Sequence, residues 1–110
     1  MKIEKRLIEV TWLPMSEHGH SNGYVGVPKG HPLFEVNYLD IECSIHGGLT
    51  WSEDHLPGQP QDGLWWLGFD VCHLGDNLEK WPLSRCEQEL ESLYKQVLDM
   101  KEVFDMKAEL

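Results

Sequence analysis

The chain has 110 residues, with 19 acidic against nine basic side chains and a formal charge of −10 at pH 7. Such a length supports one domain with its own hydrophobic core, residues 1–110, without disulfide or metal staples. No Lys or Arg lies between Lys29 and Lys80, while Glu35, Asp40, Glu42, Glu53, Asp54, Asp62, Asp70, Asp76 and Glu79 all fall there. That field repels phosphate backbones, so direct nucleic-acid binding is disfavoured and a basic protein partner or a cation is favoured.

No stretch reaches the roughly 20 apolar residues of a membrane span, and no membrane association is expected. Met1-Lys2-Ile3-Glu4-Lys5-Arg6 leads into mixed residues rather than an apolar core, so no signal peptide is expected. Cys43, Cys72 and Cys86 make an odd count without framework spacing, which fits reduced thiols in a cytoplasm.

In chain order, residues 6–12 alternate, with Ile8, Val10 and Trp12 on one side, and predict a half-buried strand. Pro14 ends it, and Ser16 to Gly23 reads as a polar loop. Tyr24 to Val27 is a short second strand, and residues 33–40 hold an irregular helical turn. Ile41, Cys43 and Ile45 alternate with polar residues as a third strand, which Gly47-Gly48 turns before Leu49 to Ser52 resumes extended. Glu53 to Gly63, rich in Pro, Gly and Asp, is an exposed hairpin loop. Leu64 to Val71, the most apolar run, reads as a central strand, with Trp66, Gly68 and Asp70 on one face and Trp65, Leu67, Phe69 and Val71 on the other.

Ser84-Arg-Cys-Glu87 has the form of a capping box, and it opens a helix over about residues 84–108. Cys86, Leu90, Leu93, Val97, Met100 and Phe104 form one apolar stripe along it. The expected fold is α+β: a small antiparallel sheet, about residues 5–71, packed against one long C-terminal amphipathic helix. The same stripe spans about two and a half heptads, so a homodimer through the helix is the alternative to packing within the chain.

Asp70-Val-Cys-His73-Leu-Gly-Asp76 is the densest group of metal-ligating and acid–base residues, and His46 joins it if its strand lies beside residues 64–71. Asp70, His73 and Asp76 are thus candidate ligands of a divalent cation, set against a purely turn-capping role. Gly47 and Gly48 offer close backbone approach to a ligand. No dinucleotide or phosphate-loop fingerprint occurs, and the Cys and His spacings fit no structural zinc pattern. His18-Gly19-His20 suggests only adventitious metal binding on a flexible loop. Trp65 and Trp66 are adjacent in a strand and point to opposite sides, so one lies on the face that the helix leaves open. That Trp, with Trp66 the candidate, would form a binding surface beside His46 or Asp70.

The blocks Asn22 to Phe34, His46 to Ser52 and Trp66 to Asp76 resemble a group of short proteins encoded by bacteriophages and prophages, over roughly residues 22–98. The resemblance implies a bacterial cytoplasm and brings no activity, cofactor or catalytic residue. The expected function is accessory binding of a host protein or small ligand, including obstruction of a host enzyme's basic groove. No catalytic residue is assigned. The enzymatic alternative is a metal-assisted hydrolase or nucleotide-processing activity using His46, Asp70, His73 and Asp76, with carboxylate-activated water.

Overall fold

The computed structural model describes residues 2–109; Met1 and Leu110, the ends of the expected domain, lie outside the described residues. Four strands, β1 (Glu4–Glu9), β2 (Ser21–Val27), β3 (Trp51–Glu53) and β4 (Trp65–Phe69), precede one helix, α1 (Leu83–Ala108). The sheet is antiparallel in the order β1-β2-β4-β3. The α+β architecture expected from the residue pattern is the one observed, and no helix among the described residues is long and apolar enough to cross a membrane.

The two inner strands are built on glycine–aromatic pairs. Gly23 lies opposite Phe69, Gly26 opposite Trp66 and Gly68 opposite Tyr24. Each large ring lies across the bare backbone of the facing strand. A Cβ on Gly26 would stand 2.9 Å from the Trp66 indole, and one on Gly68 would stand 2.6 Å from the Tyr24 ring. Glycine is therefore required here for space, and the aromatic covers the surface that it leaves bare. Because Trp66 is fully buried, its ring has no free direction in which to retreat. Gly26→Ala is expected to cost roughly 1–3 kcal/mol by overpacking. A urea midpoint equal to that of the wild type would show that the ring can move.

The helix docks on one sheet face. Cys86, Leu90, Leu93 and Val97 are buried against Val10, Val25, Val27, Phe69, Val71 and Trp81. The stripe leaves the sheet after Val97, and Phe104 stands 48% exposed. Lys5 pairs with Glu91 and lies 4.7 Å from the centre of the Tyr94 ring, which fastens the outer strand to the helix. The capping box does not form. Pro82 is the N-cap, and its carbonyl accepts the Arg85 and Cys86 amides at 3.0 and 3.1 Å. Ser84 thus sits inside the first turn, with no side-chain cap bond at this end.

The opposite face is not open. Tyr24, Leu64 and Trp66 form a second core there, packed by Ile8, Trp51 and Leu56. Leu56 belongs to the connection between β3 and β4, so the expected hairpin loop folds back over the sheet instead of standing free in solvent. Trp66 has 0% of its surface exposed and donates its indole N–H to Asp62 at 3.1 Å. Trp65 is half-buried on the helix side and donates to the Val36 carbonyl at 2.9 Å. The idea of a free tryptophan face on the uncovered side of the sheet fails, because both faces carry a core.

Three other local expectations need correction. The polar segment 16–23 is not a loop throughout, since β2 begins at Ser21 and all seven of its residues are buried. Buried Asn22 is tolerated because its Oδ1 accepts the Val71 amide at 2.9 Å. Residues 41–45 form no strand. They run along α1, where Gln96 exchanges hydrogen bonds with the Ser44 amide (2.8 Å) and carbonyl (3.1 Å). Finally, β1 stops at Glu9, so Ile8 enters the second core, Val10 enters the helix-side core and Trp12 is exposed. Alternation across a strand predicts faces only while the strand lasts.

His31 pins the turn before residue 33 to the helix. Its Nδ1 accepts the Leu33 amide at 3.0 Å and its Nε2 donates to the Val97 carbonyl at 2.9 Å, so the buried ring is neutral with both nitrogens committed. Burial lowers its pKa below the ordinary 6.5, and the Lys101 charge acts the same way against the Val97 carbonyl and Asp105. The unfolded chain therefore takes up this proton first. Stability from His31 is complete above pH 6.5 and is lost as pH falls from there through the lower folded value. His31→Asn, which keeps an acceptor for the Leu33 amide without titrating, should flatten the fall in urea midpoint below pH 6.5. An unchanged slope would assign that loss to another group.

Candidate functional site

Two loops build the site at the end of β4. After Phe69, the Asp70 Oδ1 accepts the Cys72 amide at 2.9 Å and turns the chain. A second turn follows, with the Asp76 amide donating to the His73 carbonyl at 2.9 Å and Gly75 at φ +91°. It carries the Asp76 carboxylate back beneath the His73 amide, which donates to Oδ2 at 2.9 Å.

His46 arrives from the segment along the helix. Its amide donates to Glu89 Oε1 at 2.8 Å, and its imidazole Nε2 reaches both Asp76 oxygens at 2.9 and 3.0 Å. Trp81 stacks on the His46 ring at 4.3 Å between centroids, and the Arg85 guanidinium lies 3.9 Å over Trp81. The two imidazoles meet edge to face at 5.1 Å.

Gly47 makes the junction possible. At φ +68° it adopts a backbone that other residues rarely hold, and a Cβ there would stand 2.4 Å from the Cε1 and Nε2 atoms of the His73 ring. Its close approach is to an imidazole of the site rather than to a ligand. Gly48 completes the turn at φ +74° and faces open space.

The structure thus brings together four of the residues singled out from sequence: His46, Asp70, His73 and Asp76. His73 Nδ1 lies 3.2 Å from Asp70 Oδ1 and 3.4 Å from Asp76 Oδ2, but it is buried and makes no hydrogen bond. Asp76 is 5% exposed. Burial acts to raise its pKa, and the His46 bond, the His73 amide and the charges of the two imidazoles together outweigh this, so it lies below the ordinary 3.8. Its share of stability is present above pH 3.8 and is lost as pH falls through the folded value.

Trp66 is not part of the site; it lies in the second core. Nor do His18 and His20 form a loose metal loop. His18 is buried, and the backbone of residues 19–20 is tied to Val71, Trp81 and Val10. A cleft of about 450 Å³ borders the cluster, lined by Leu13, Ser16, Glu17, Cys72, His73 and Asp76 among others. Burial foremost raises the Cys72 thiol above its ordinary value, and the Asp70 and Asp76 charges add to this, so it is a poor nucleophile.

Trp81, Arg85 and Glu89 support the centre without having been anticipated. Arg85 and Glu89 are four apart on α1, at helical neighbour spacing, and this was their one sequence signal. Comparison of the chain with protein-family models, curated proteins and solved structures returned no match.

Proposed function

We propose that the chain is a non-enzymatic binding protein whose working centre is the His46, Asp70, His73 and Asp76 cluster, and that this centre takes a divalent transition cation of the zinc type. The observation that carries the proposal is that His46, His73 and Asp76 each offer a ligand atom within 4.8 Å of the others. A tetrahedral ion with arms of about 2.1 Å needs ligand separations of about 3.4 Å. The His73 nitrogen stands 3.2 and 3.4 Å from the two carboxylates. It is also a buried polar atom without a hydrogen bond, which an ion would satisfy. Imidazole with carboxylate suits zinc and its neighbours, whereas Mg²⁺ favours an oxygen-rich, hydrated shell.

A bound cation would join the segment along α1 to the turns after β4, and so hold the acidic surface in shape. With the resemblance to phage and prophage proteins, this makes the chain an accessory factor of the bacterial cytoplasm. Its acidic field suits the basic groove of a host protein. The hydrolase reading draws on the neighbouring cleft, but it needs a base poised near neutral pH. Asp76 is the reverse, a carboxylate depressed and held by the His46 ring and the His73 amide.

Calorimetric titration with Zn²⁺, Mn²⁺ and Mg²⁺ tests the reading. One strong equivalent of Zn²⁺ and weak or no Mg²⁺ heat are expected. Absence of heat with all three ions would remove the cation from the account.

A further inference from the structure

We propose that the end of α1 docks on a second copy of this chain, the two helices crossing antiparallel at Val103. The helix leaves the sheet after Val97, yet it still carries large apolar side chains: Val103 is 50% exposed, Phe104 48% and Met106 67%. Leu33, Met100, Val103 and Phe104 line a groove of about 380 Å³, with Asp99 at one end and Lys107 at the other. Nothing within the described residues of the chain covers this surface.

The arrangement of side chains about Val103 identifies the occupant. Asp99 lies four residues before it and Lys107 four after; Met100 lies three before and Met106 three after. Residues three and four apart share a helix face with the central one. In an antiparallel two-fold pair crossing at Val103, the Asp99 of each copy comes level with the Lys107 of the other. The methionines come level in the same way, Met100 with Met106. A parallel pair would instead set Asp99 beside Asp99 and Lys107 beside Lys107, placing like charges together. The chain's own sequence is therefore self-complementary in one orientation only. Methionine and phenylalanine suit such a contact because they supply large adaptable apolar area.

The contact is one helix end per copy, smaller than the roughly 800 Å² per partner of a standard stable interface. The dimer is accordingly a weak one, forming on the order of tens to hundreds of micromolar. It does not depend on the cation site, which lies near the other end of the helix, around Arg85 and Glu89.

Sedimentation of the full chain across that concentration range tests the proposal. A monomer–dimer equilibrium is expected, and Val103→Glu should abolish it without altering the unfolding midpoint, because that residue stands clear of the sheet. Asp99→Lys and Lys107→Asp should each weaken the dimer about tenfold, since each sets two pairs of like charges level. Mixing those two variants should restore association, as should combining both changes in one chain. A chain that stays monomeric at every concentration would overturn the proposal. So would a dimer in which the mixture and the combined variant remain as weak as the single ones.

Discussion

Leu93→Asp is expected to abolish the cooperative unfolding transition, while Phe104→Asp, on the same helical stripe, should leave it nearly unchanged. Leu93 has none of its surface exposed, and it lies in the core shared with Val25, Val27, Cys86 and Val97. Truncating a buried leucine costs about 2–5 kcal/mol, and an unpaired carboxylate in its place adds several more. A domain of this size has roughly 5–15 kcal/mol of stability in total. The loss consumes most of it. Phe104, by contrast, lies beyond the sheet and is half exposed, so a surface-type change of about 0.5–1 kcal/mol is expected there. Urea denaturation followed by far-ultraviolet circular dichroism separates the two. A folded Leu93→Asp, or an unfolded Phe104→Asp, would contradict the placement of the core.

The second large effect concerns the cation. His73→Ala and His46→Ala should each weaken Zn²⁺ binding by more than roughly 100-fold, since loss of a mere supporting residue already costs 10–100-fold in metal sites. Cys72→Ser should bind as the wild type does, because the thiol is held protonated by its surroundings and is not counted among the ligands. The His46 imidazole is hydrogen-bonded to Asp76 and must present a bare nitrogen to the ion. Zn²⁺ therefore competes with protons for this nitrogen, and the affinity should weaken in acidic solution. Equal affinities for wild type and His73→Ala would move the ion elsewhere. The Glu53, Asp54 and His55 group is the other candidate among the described residues.

The legible parts of the fold were those set by local periodicity. The helix and its buried stripe could be read because Cys86, Leu90, Leu93 and Val97 repeat every three or four residues, and that pattern belongs to one segment alone. The strand around Leu64 to Val71 was legible for the same reason, in its alternation of bulky side chains. What stayed hidden depended on partners distant in sequence. Gly23 reads as a loop residue and Gly26 as an ordinary strand position, and only the fold shows Phe69 and Trp66 lying across them. Ser21 and Asn22 looked solvated, yet Asn22 is consumed by a backbone amide 49 residues away. The second core escaped notice because its lid, Leu56, sits in a segment whose Pro, Gly and Asp signalled only a turn.

The site shows the same division. Asp70, His73 and Asp76 lie within seven residues, so their grouping could be read directly. His46 was expected to join them through a neighbouring strand and does so by a different route, along α1 and anchored to Glu89. Trp81 and Arg85 were invisible as members of the centre because stacking on His46 requires the whole fold to be in place.

Anomalous diffraction at the zinc absorption edge, from crystals of the chain soaked in Zn²⁺, addresses the central claim most directly. The account predicts one strong peak about 2.1 Å from nitrogens of both His46 and His73 and from a carboxylate oxygen of Asp76. A map with no peak between these three residues, or with its strongest peak beside Glu53 and His55, would contradict it.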